Sequence, residues 1–309
     1  MKKRRTAKNR KFTDSSFRQY MNASSSAATR LAYACDIAAF RKWGGQIPSS
    51  PTVIARYLAG HATELAYSTL VRRLAAISNA HRARGIESPT RAEMVRATMR
   101  GIRRTHRRQP RQAAPIMVGD LRKRVRTALG VRGIRDRALL LVGFAGGFRA
   151  SEIVGLNVED IEFVNSGALV HLRKSKTDQE GRGRVVALPF GKREQWSCPI
   201  RALRNWMKRA ELRAGAIFRR VDRNGHACGE RLSTQMVSLI VKKLVRALGK
   251  DPAGFSGHSL RAGFVTSAAA AGVPSWKIRQ QTGHKSDQMM LRYVRPMKLF
   301  HKHALLSML

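Results

Sequence analysis

Two histidines, an arginine and a tyrosine near the C-terminal end of the chain have the types and spacing for chemistry on a phosphate. The segment GHSLRAG places His258 three residues before Arg261, so both lie on one face of a helix. A guanidinium beside an imidazole suits a phosphate, and we expect backbone N–H groups at the preceding FSG to be free to contribute. In TGHKSDQMMLRYVR, His284 follows Arg261 by 23 residues and Tyr293 follows His284 by nine. This spacing predicts one shared site.

A second arginine with an acid one helical turn later lies upstream. In GFRASEIVGL, Arg149 precedes Glu152 by three residues, directly after the apolar segment ALLLVGFAGG. Residues three apart on a helix are neighbours. The spacing therefore predicts that Glu152 holds an active-site cation in a supporting role.

The elements that must position these residues are predicted to form two domains. The hydrophobic content of 43% is enough for a sizeable core. The length of 309 residues is more than one compact domain usually contains, so two domains are expected. The expected organisation is a disordered basic arm at 1–13, a helical domain at 14–108, a linker at 109–116, a catalytic domain at 117–297 that contains the residues above, and a tail helix at 298–309.

The apolar residues of the domain at 14–108 recur with the period of an α-helix. Serines precede the first helix and Gly44 follows it, Pro51 begins the second, and Gly85 ends the third. The apolar faces that predict the helices contain Tyr33, Ile37 and Phe40, then Leu70, Leu74 and Ile77, then Met94, Val95, Met99 and Ile102.

The catalytic domain is predicted to be mainly α with a small antiparallel sheet, an α+β fold. Two helices are expected around 119–129 and 134–146. The segments DIEFV, ALVHLRK and GRVVALP predict three short strands, with a tight turn at 165–167. From Pro199 onward the pattern predicts helices only, the last of them DQMMLRYV.

The charge of the chain points to a polyanionic partner. Sixty Lys and Arg against nineteen Asp and Glu give a formal charge of +41, which favours nucleic acid. No apolar run is long enough to span a bilayer. Three cysteines without metal-type spacing indicate a reducing compartment, so we expect a cytoplasmic, nucleoid-associated protein.

At these residues the chain resembles the tyrosine recombinase family, also called phage integrases. The family pattern is an Arg before a short sheet, a Lys on its hairpin, then H-x-x-R, a His or Trp, and a Tyr. The helical segments TRLAYACDIAAFRKW and STLVRRLAAISNAHRARG are similar to the core-binding domain of Cre- and Xer-like members. The resemblance covers most of the chain and implies a two-domain, Cre- or Xer-like architecture without a further N-terminal domain.

The resemblance implies a role for each site residue. Arg149 and Arg261 would clamp the scissile phosphodiester, and His284 would donate a hydrogen bond to it. Tyr293 would attack the phosphorus while His258 takes its proton. The hairpin lysine would protonate the leaving 5′ oxygen; the SKT triplet favours Lys176, with Lys174 as a competitor.

The implied activity is site-specific DNA recombination through a 3′-phosphotyrosine intermediate, without a metal, ATP or another cofactor. The implied partners are double-stranded DNA with specific recombination sites and further copies of the chain, forming a tetramer in which the apolar tail 298–309 is exchanged between subunits. The residues leave open whether the reaction is integration, excision or resolution, and whether an accessory protein takes part.

Three other classes of function make different demands on the sequence. A type IB topoisomerase-like or telomere-resolving enzyme would use a similar constellation of residues. A non-catalytic, architectural DNA-binding protein would not need all six motif residues. A metal-dependent nuclease would need clustered acids, which this acid-poor sequence does not show.

Overall fold

The computed structural model describes residues 19–20, 25–106, 112–126, 129–173, 183–191 and 195–288. The chain divides into two compact units, Met1–Pro110 and Arg111–Leu309. The expected arm at 1–13 and tail at 298–309 lie outside the described residues. The fold is mostly helical with small antiparallel sheets, as the sequence predicts.

The described part of the N-terminal unit is helical. Its helices are α1 (Ala27–Lys42), α2 (Pro51–Gly60), α3 (Tyr67–Arg82) and α4 (Glu93–Thr105), with a 3-10 turn at Pro89–Arg91. The predicted serine cap of α1 is confirmed, because the Ser26 hydroxyl accepts from the Thr29 N–H at 3.1 Å.

The core of this unit forms where α1 packs on α3 and α2 packs on α4. The buried side chains are Phe40, Ile47, Ile54, Tyr57, Leu58, Ala62, Leu70, Ile77, Val95, Met99 and Ile102. The prediction that Met94 shares the buried face of α4 is wrong, since Met94 is 52% exposed. Val95, one residue on, takes the inward position because consecutive helical residues point about 100° apart.

The C-terminal unit carries more elements. They are α5 (Val118–Val125), α6 (Gly130–Ala145), α7 (Ala150–Gly155), β1 (Ile161–Val164), β2 (Gly167–Leu172), β3 (Arg184–Pro189), α8 (Pro199–Arg209), β4 (Arg219–Val221), β5 (Ala227–Arg231), α9 (Thr234–Ala247), α10 (His258–Ala270) and α11 (Ser275–Thr282). The predicted helix DQMMLRYV falls mostly outside the described residues, which end at Gln288.

The three predicted strands form one antiparallel sheet in the order β1, β2, β3. Val164 pairs with Gly167 across the predicted turn, and Ala168 pairs with Leu188. The prediction of helices only after Pro199 is wrong, because β4 and β5 pair as a second, antiparallel hairpin. Their sequences, RRV and ACGER, are short and polar, so they lack the apolar alternation that marks a strand.

A buried helix organises this unit. Helix α6 packs on α8 and α10, and Ala138, Leu139 and Val142 of α6 are fully buried. Helix α10 also lies against the segment before α5, where the Ile116 N–H donates to the Ser259 carbonyl at 3.1 Å. A Cβ at Gly263 would lie 1.8 Å from the Ile116 carbonyl oxygen, so this approach requires glycine.

Within the described residues, the predicted site residues are thus carried by the N-terminus of α7, the first turns of α10 and the turn after α11. Within the described ranges, none of the helices combines the length and the apolarity needed to cross a membrane.

Candidate active site

Arg149 immediately precedes helix α7, and Glu152 in the first turn of that helix binds the Arg149 side chain. It is the N-cap residue of α7, and its backbone N–H donates to Glu152 Oε2 at 2.9 Å. Its guanidinium Nη1 donates to Glu152 Oε1 at 2.5 Å, and the Glu152 side chain is 2% exposed. A charged hydrogen bond to a buried carboxylate fixes the guanidinium in one orientation. The contact predicted from the i, i+3 spacing is present.

Arg261 is buried on α10 and is 1% exposed. Its Nη1 donates to the carbonyl of Gly147 at 2.8 Å and to the carbonyl of Thr282 at 2.6 Å. Both acceptors are neutral, so these two bonds fix the position of the guanidinium without cancelling its charge. They also connect α10 to the turn before Arg149 and to the end of α11.

His258 begins α10 and is half-buried. Burial lowers the pKa of His258 below its ordinary value of 6.5, and the charges of Arg261 and Arg149 lower it further. The imidazole is therefore neutral at neutral pH and can accept a proton.

The backbone N–H groups before α10 are not free, contrary to the prediction. The N–H of Ser256 donates to Ser259 Oγ at 3.0 Å, that of Gly257 to Ser238 Oγ at 3.1 Å and that of His258 to Ser256 Oγ at 3.2 Å. Serine hydroxyls that cap a helix start take up the same donors that an anion would use. The N–H groups of Ser256, Gly257 and His258 are therefore already engaged and do not form an anion site at the start of this helix.

His284 lies just beyond α11 and is 6% exposed. Gly283, in the left-handed conformation with φ 70°, turns the chain so that His284 Nδ1 lies 2.7 Å from the hydroxyl of Thr282. Burial lowers the pKa of His284 to about 3, with smaller contributions from Arg261, Arg149, His258 and Arg184. This ring is also neutral at neutral pH.

Arg184 is a site residue that the sequence reasoning missed. It begins β3, and its Nη2 lies 3.3 Å from Glu152 Oε2 while its Nη1 donates to the Gln281 carbonyl at 2.6 Å. Burial lowers the pKa of Arg184; the charge of Glu152 opposes this shift and that of Arg149 adds to it. The available signal was the two-residue period of the strand, which puts Arg184 on the same face as the buried Val186 and Leu188.

Gln281 and Thr282 were also missed, because neither belongs to a motif. The Gln281 side-chain amide donates to the carbonyls of Ala145 and Ala187, both at 3.1 Å. It thereby joins the end of α6 to β3. The end of α11 thus contacts Arg184 and Arg261 through the carbonyls of Gln281 and Thr282, and it contacts the end of α6, shortly before Arg149, through the Gln281 side chain.

The arrangement is a cluster of positive and neutral donor groups collected from four elements. The charges of Arg149 and Arg261 lower the pKa of both histidines, and the charge of Arg184 lowers that of His284. Glu152 forms ion pairs with Arg149 and Arg184. Planar guanidinium groups match the oxygens of a phosphate and stabilise charge that develops on them. Among the residues that the structure describes, no group of three His, Cys, Asp or Glu side chains is placed to hold a metal ion.

Lys176, its competitor Lys174 and Tyr293 lie outside the described residues. Their assignments stay predictions. In the sequence both lysines fall between β2 and β3, and β3 begins with Arg184 of the cluster.

Comparison with known proteins gives a consistent result. A family profile described as the phage integrase family matches residues 119–299. The chain is 38% identical to an integrase/recombinase xerD homolog of Selenomonas ruminantium over 291 residues, 90% of this chain and 84% of that protein. It is 27% identical to the recombinase cre of Escherichia phage P1 over 276 residues, 82% of this chain and 78% of that protein.

A solved structure of the Tn1549 transposon integrase, in complex with transposon right end DNA, has a similar fold. The TM-score is 0.62 at 16% identity, with 95% of this chain and 97% of that chain covered. At this identity the likeness concerns the fold alone.

Proposed function

This chain belongs to the phage integrase family and is a tyrosine-type site-specific DNA recombinase, and we propose that it cleaves and rejoins DNA through a 3′-phosphotyrosine bond at Tyr293. The observation that supports this most is the cluster itself. Arg149, Arg261, His258 and His284 come from three separate segments and lie close enough for both arginine charges to lower the pKa of both histidines. Hydrogen bonds from Arg261 to the carbonyls of Gly147 and Thr282 connect these segments.

The scissile phosphate would lie between Arg149 and Arg261. Glu152 fixes the first guanidinium, and the carbonyls of Gly147 and Thr282 fix the second. Because both are held before DNA arrives, little reorganisation is needed when charge develops on the phosphate oxygens. His284 would contact a non-bridging oxygen beside them.

Cleavage would proceed by attack of the Tyr293 phenol oxygen on phosphorus. The new O–P bond forms as the bond to the 5′ oxygen breaks, the phenol proton passes to His258, and Lys176 protonates the departing 5′ oxygen. A phenol has an ordinary pKa of about 10, so it needs such a base at neutral pH. The neutral imidazole of His258 is suited to that role.

Rejoining would reverse these steps with a 5′ hydroxyl from a second DNA strand. The phosphotyrosine bond keeps the energy of the phosphodiester, so the reaction would need no ATP. The guanidinium groups of Arg149 and Arg261 would stabilise the charge on the phosphate in place of a metal ion. We further propose that paired recombination sites are held by a tetramer of this chain on nucleoid DNA in the cytoplasm, for integration, excision or resolution.

The test uses a pool of nicked, randomised duplexes in EDTA without ATP. Wild type and Tyr293→Phe are incubated with the pool, and SDS-resistant protein–DNA adducts are captured and sequenced. Adducts formed by the wild type and absent from Tyr293→Phe are expected, and they would also reveal the recognition sequence. Adducts of equal yield from both proteins would exclude Tyr293 as the nucleophile.

The oligomer is tested separately by deleting residues 298–309. Loss of recombination with retained adduct formation is expected if the tail joins subunits. Unchanged recombination by the truncated chain would remove the tail from the proposal. Relaxation of supercoiled DNA without any recombinant product would instead favour a type IB topoisomerase-like activity.

A further inference from the structure

Thr282 makes the contact that determines which nitrogen of His284 can meet a phosphate. Thr282 is the last residue of α11 and is fully buried. Its hydroxyl donates to the carbonyl of Ile278, one turn back along the helix, at 2.7 Å. A carbonyl only accepts, so the hydroxyl hydrogen is engaged there, and the lone pairs of the same oxygen face His284 Nδ1 at 2.7 Å.

This geometry assigns the protons of the ring. Because Thr282 Oγ1 acts as the acceptor, Nδ1 of His284 carries a hydrogen and donates it. A second donor–acceptor pair, from Thr282 to Ile278, fixes the hydroxyl in turn. With Nδ1 engaged, Nε2 is the ring nitrogen left for a phosphate oxygen. It carries no hydrogen in the neutral ring, so it would donate once the negative charge of a bound phosphate favours a second ring proton, taken from solvent.

The His284 ring lies among charged groups in a buried site, so rotation of the ring is costly. Arg261 and His258 of α10, Arg149 before α7 and Arg184 of β3 all lower the pKa of His284, while Glu152 is paired with Arg149 and Arg184. A rotated ring would lose its bond to Thr282 inside a buried site, where an unsatisfied polar group costs about 1–3 kcal/mol. The hydroxyl therefore opposes rotation as well as the alternative tautomer.

We propose that Thr282 is a positioning residue whose hydroxyl orients the His284 ring, keeps a hydrogen on Nδ1 and leaves Nε2 to take up the proton that it donates to the scissile phosphate. The backbone carbonyl of Thr282 holds Arg261 at 2.6 Å, so one residue positions two phosphate contacts. This inference rests on the proposed contact between His284 and the phosphate.

The variant Thr282→Val removes the hydroxyl and leaves the other contacts of the residue in place. Valine retains the branched shape and the backbone carbonyl that accepts from Arg261. We expect the single-turnover rate of adduct formation on the nicked duplex pool to fall about 10- to 100-fold, the usual effect of removing a partner that orients a functional histidine. Thr282→Ser keeps the hydroxyl and should restore most of the rate.

A double-mutant cycle separates positioning from general stability. In a His284→Ala background, Thr282→Val should cause little further loss, because the residue through which it acts is absent. Thr98→Val is the matched control: the Thr98 hydroxyl also donates to the carbonyl four residues back, Met94 at 2.8 Å, on a helix of the other unit. It should leave the rate unchanged.

The tautomer is measured directly by 15N NMR of the free protein labelled at histidine, with His284→Ala identifying the signal. Wild type and Thr282→Ser should show a protonated Nδ1 and an unprotonated Nε2, and Thr282→Val should shift toward the other tautomer. A wild-type ring protonated at Nε2 alone would overturn the proposal, even if Thr282→Val does not fold. So would a wild-type cleavage rate for Thr282→Val, or an equal loss with and without His284.

The two proposals fail in different ways. If wild type forms no adduct at all, the proposed function is wrong, whereas the NMR result still decides whether Thr282 fixes the ring. If adducts form through Tyr293 and the tautomer does not depend on Thr282, only the positioning role is wrong.

Discussion

At the scale of single residues, the site is organised by one carboxylate shared between two arginines. Glu152 Oε1 binds Arg149 and Glu152 Oε2 faces Arg184. A buried charge is tolerated only when it is paired, so Glu152 allows two guanidinium groups to lie close together before a phosphate arrives. Arg261 adds a further positive charge, and a phosphate would supply the negative charge that this cluster attracts.

Arg184→Ala is expected to slow adduct formation about 10- to 100-fold, because it removes a cation beside the phosphate site and one of the two partners that orient Glu152. Arg184→Lys should not restore the rate, since an ammonium cannot reproduce two bonds from a planar guanidinium. Single-turnover cleavage of the nicked pool measures both variants. Arg220→Ala is the control, because Arg220 pairs with Glu230 on the surface at 2.9 Å; equal losses for Arg184→Ala and this control would contradict a role in the site.

The neutral state of His284 predicts a dependence of stability on pH. Its pKa is lowered from 6.5 to about 3 in the fold, so the unfolded chain binds a proton between these values and the folded chain does not. The free energy of unfolding should therefore fall as the pH decreases from about 6.5 toward 3, by at most about 1.4 kcal/mol per pH unit for this single group. Denaturant unfolding of wild type and His284→Gln at about pH 7 and about pH 5 measures the difference. An identical pH dependence in the two proteins would show that His284 is not the group responsible.

At the scale of secondary-structure elements, the end of α11 is the segment that assembles the site. Gln281 accepts from Arg184 and joins α6 to β3, and Thr282 accepts from Arg261 and holds His284. Gly283 then reverses the chain in a conformation that L side chains rarely adopt. A displacement of this turn would move both an arginine and an imidazole.

Gly283→Ala should therefore reduce activity more than its effect on stability explains. A Cβ at Gly283 would lie 3.1 Å from Arg184 Cζ, and the φ of 70° adds a cost of about 1–2 kcal/mol for a left-handed residue. Gly249→Ala is a matched control, with φ 71° and no atom within 4 Å of the added Cβ. Both variants should lose similar stability on thermal unfolding, and only Gly283→Ala should slow adduct formation. Equal cleavage rates would show that the turn does not control Arg184.

The sequence predicted those elements whose patterns are local. The caps and periods of α1 to α3, the three strands of the first sheet and the contact between Arg149 and Glu152 follow from residues close together in the chain. Arg184 and Gln281 donate to carboxylate and carbonyl groups of distant segments, and the Thr282 carbonyl accepts from the distant Arg261, so no motif spacing marks these contacts. Of the serines that take up the N–H groups before α10, Ser238 comes from the distant helix α9, whereas Ser256 and Ser259 are local and their hydroxyls are visible in the sequence.

At the scale of the whole molecule, affinity for DNA and catalysis should depend on different residues. The formal charge of +41 comes from sixty basic residues distributed over the entire sequence. Contacts with phosphates release counterions and make binding strongly dependent on salt. The cluster around Arg149 and Arg261 is a small part of this charge, so it can determine chemistry while contributing little to total affinity.

Arg149→Ala and Arg261→Ala are expected to lose adduct formation while keeping most of the affinity for DNA. Wild-type affinity for the duplex pool should fall by about 10³-fold or more between about 50 and 200 mM salt, as for a protein with several phosphate contacts. Each variant should change the slope of log affinity against log salt by about one unit or less, because one cation is removed from many. Fluorescence anisotropy over a salt series measures the slope, and adduct capture at saturating protein measures cleavage per bound complex. A variant that loses binding but retains cleavage per bound complex would show that its arginine serves to hold DNA and does not stabilise the reacting phosphate.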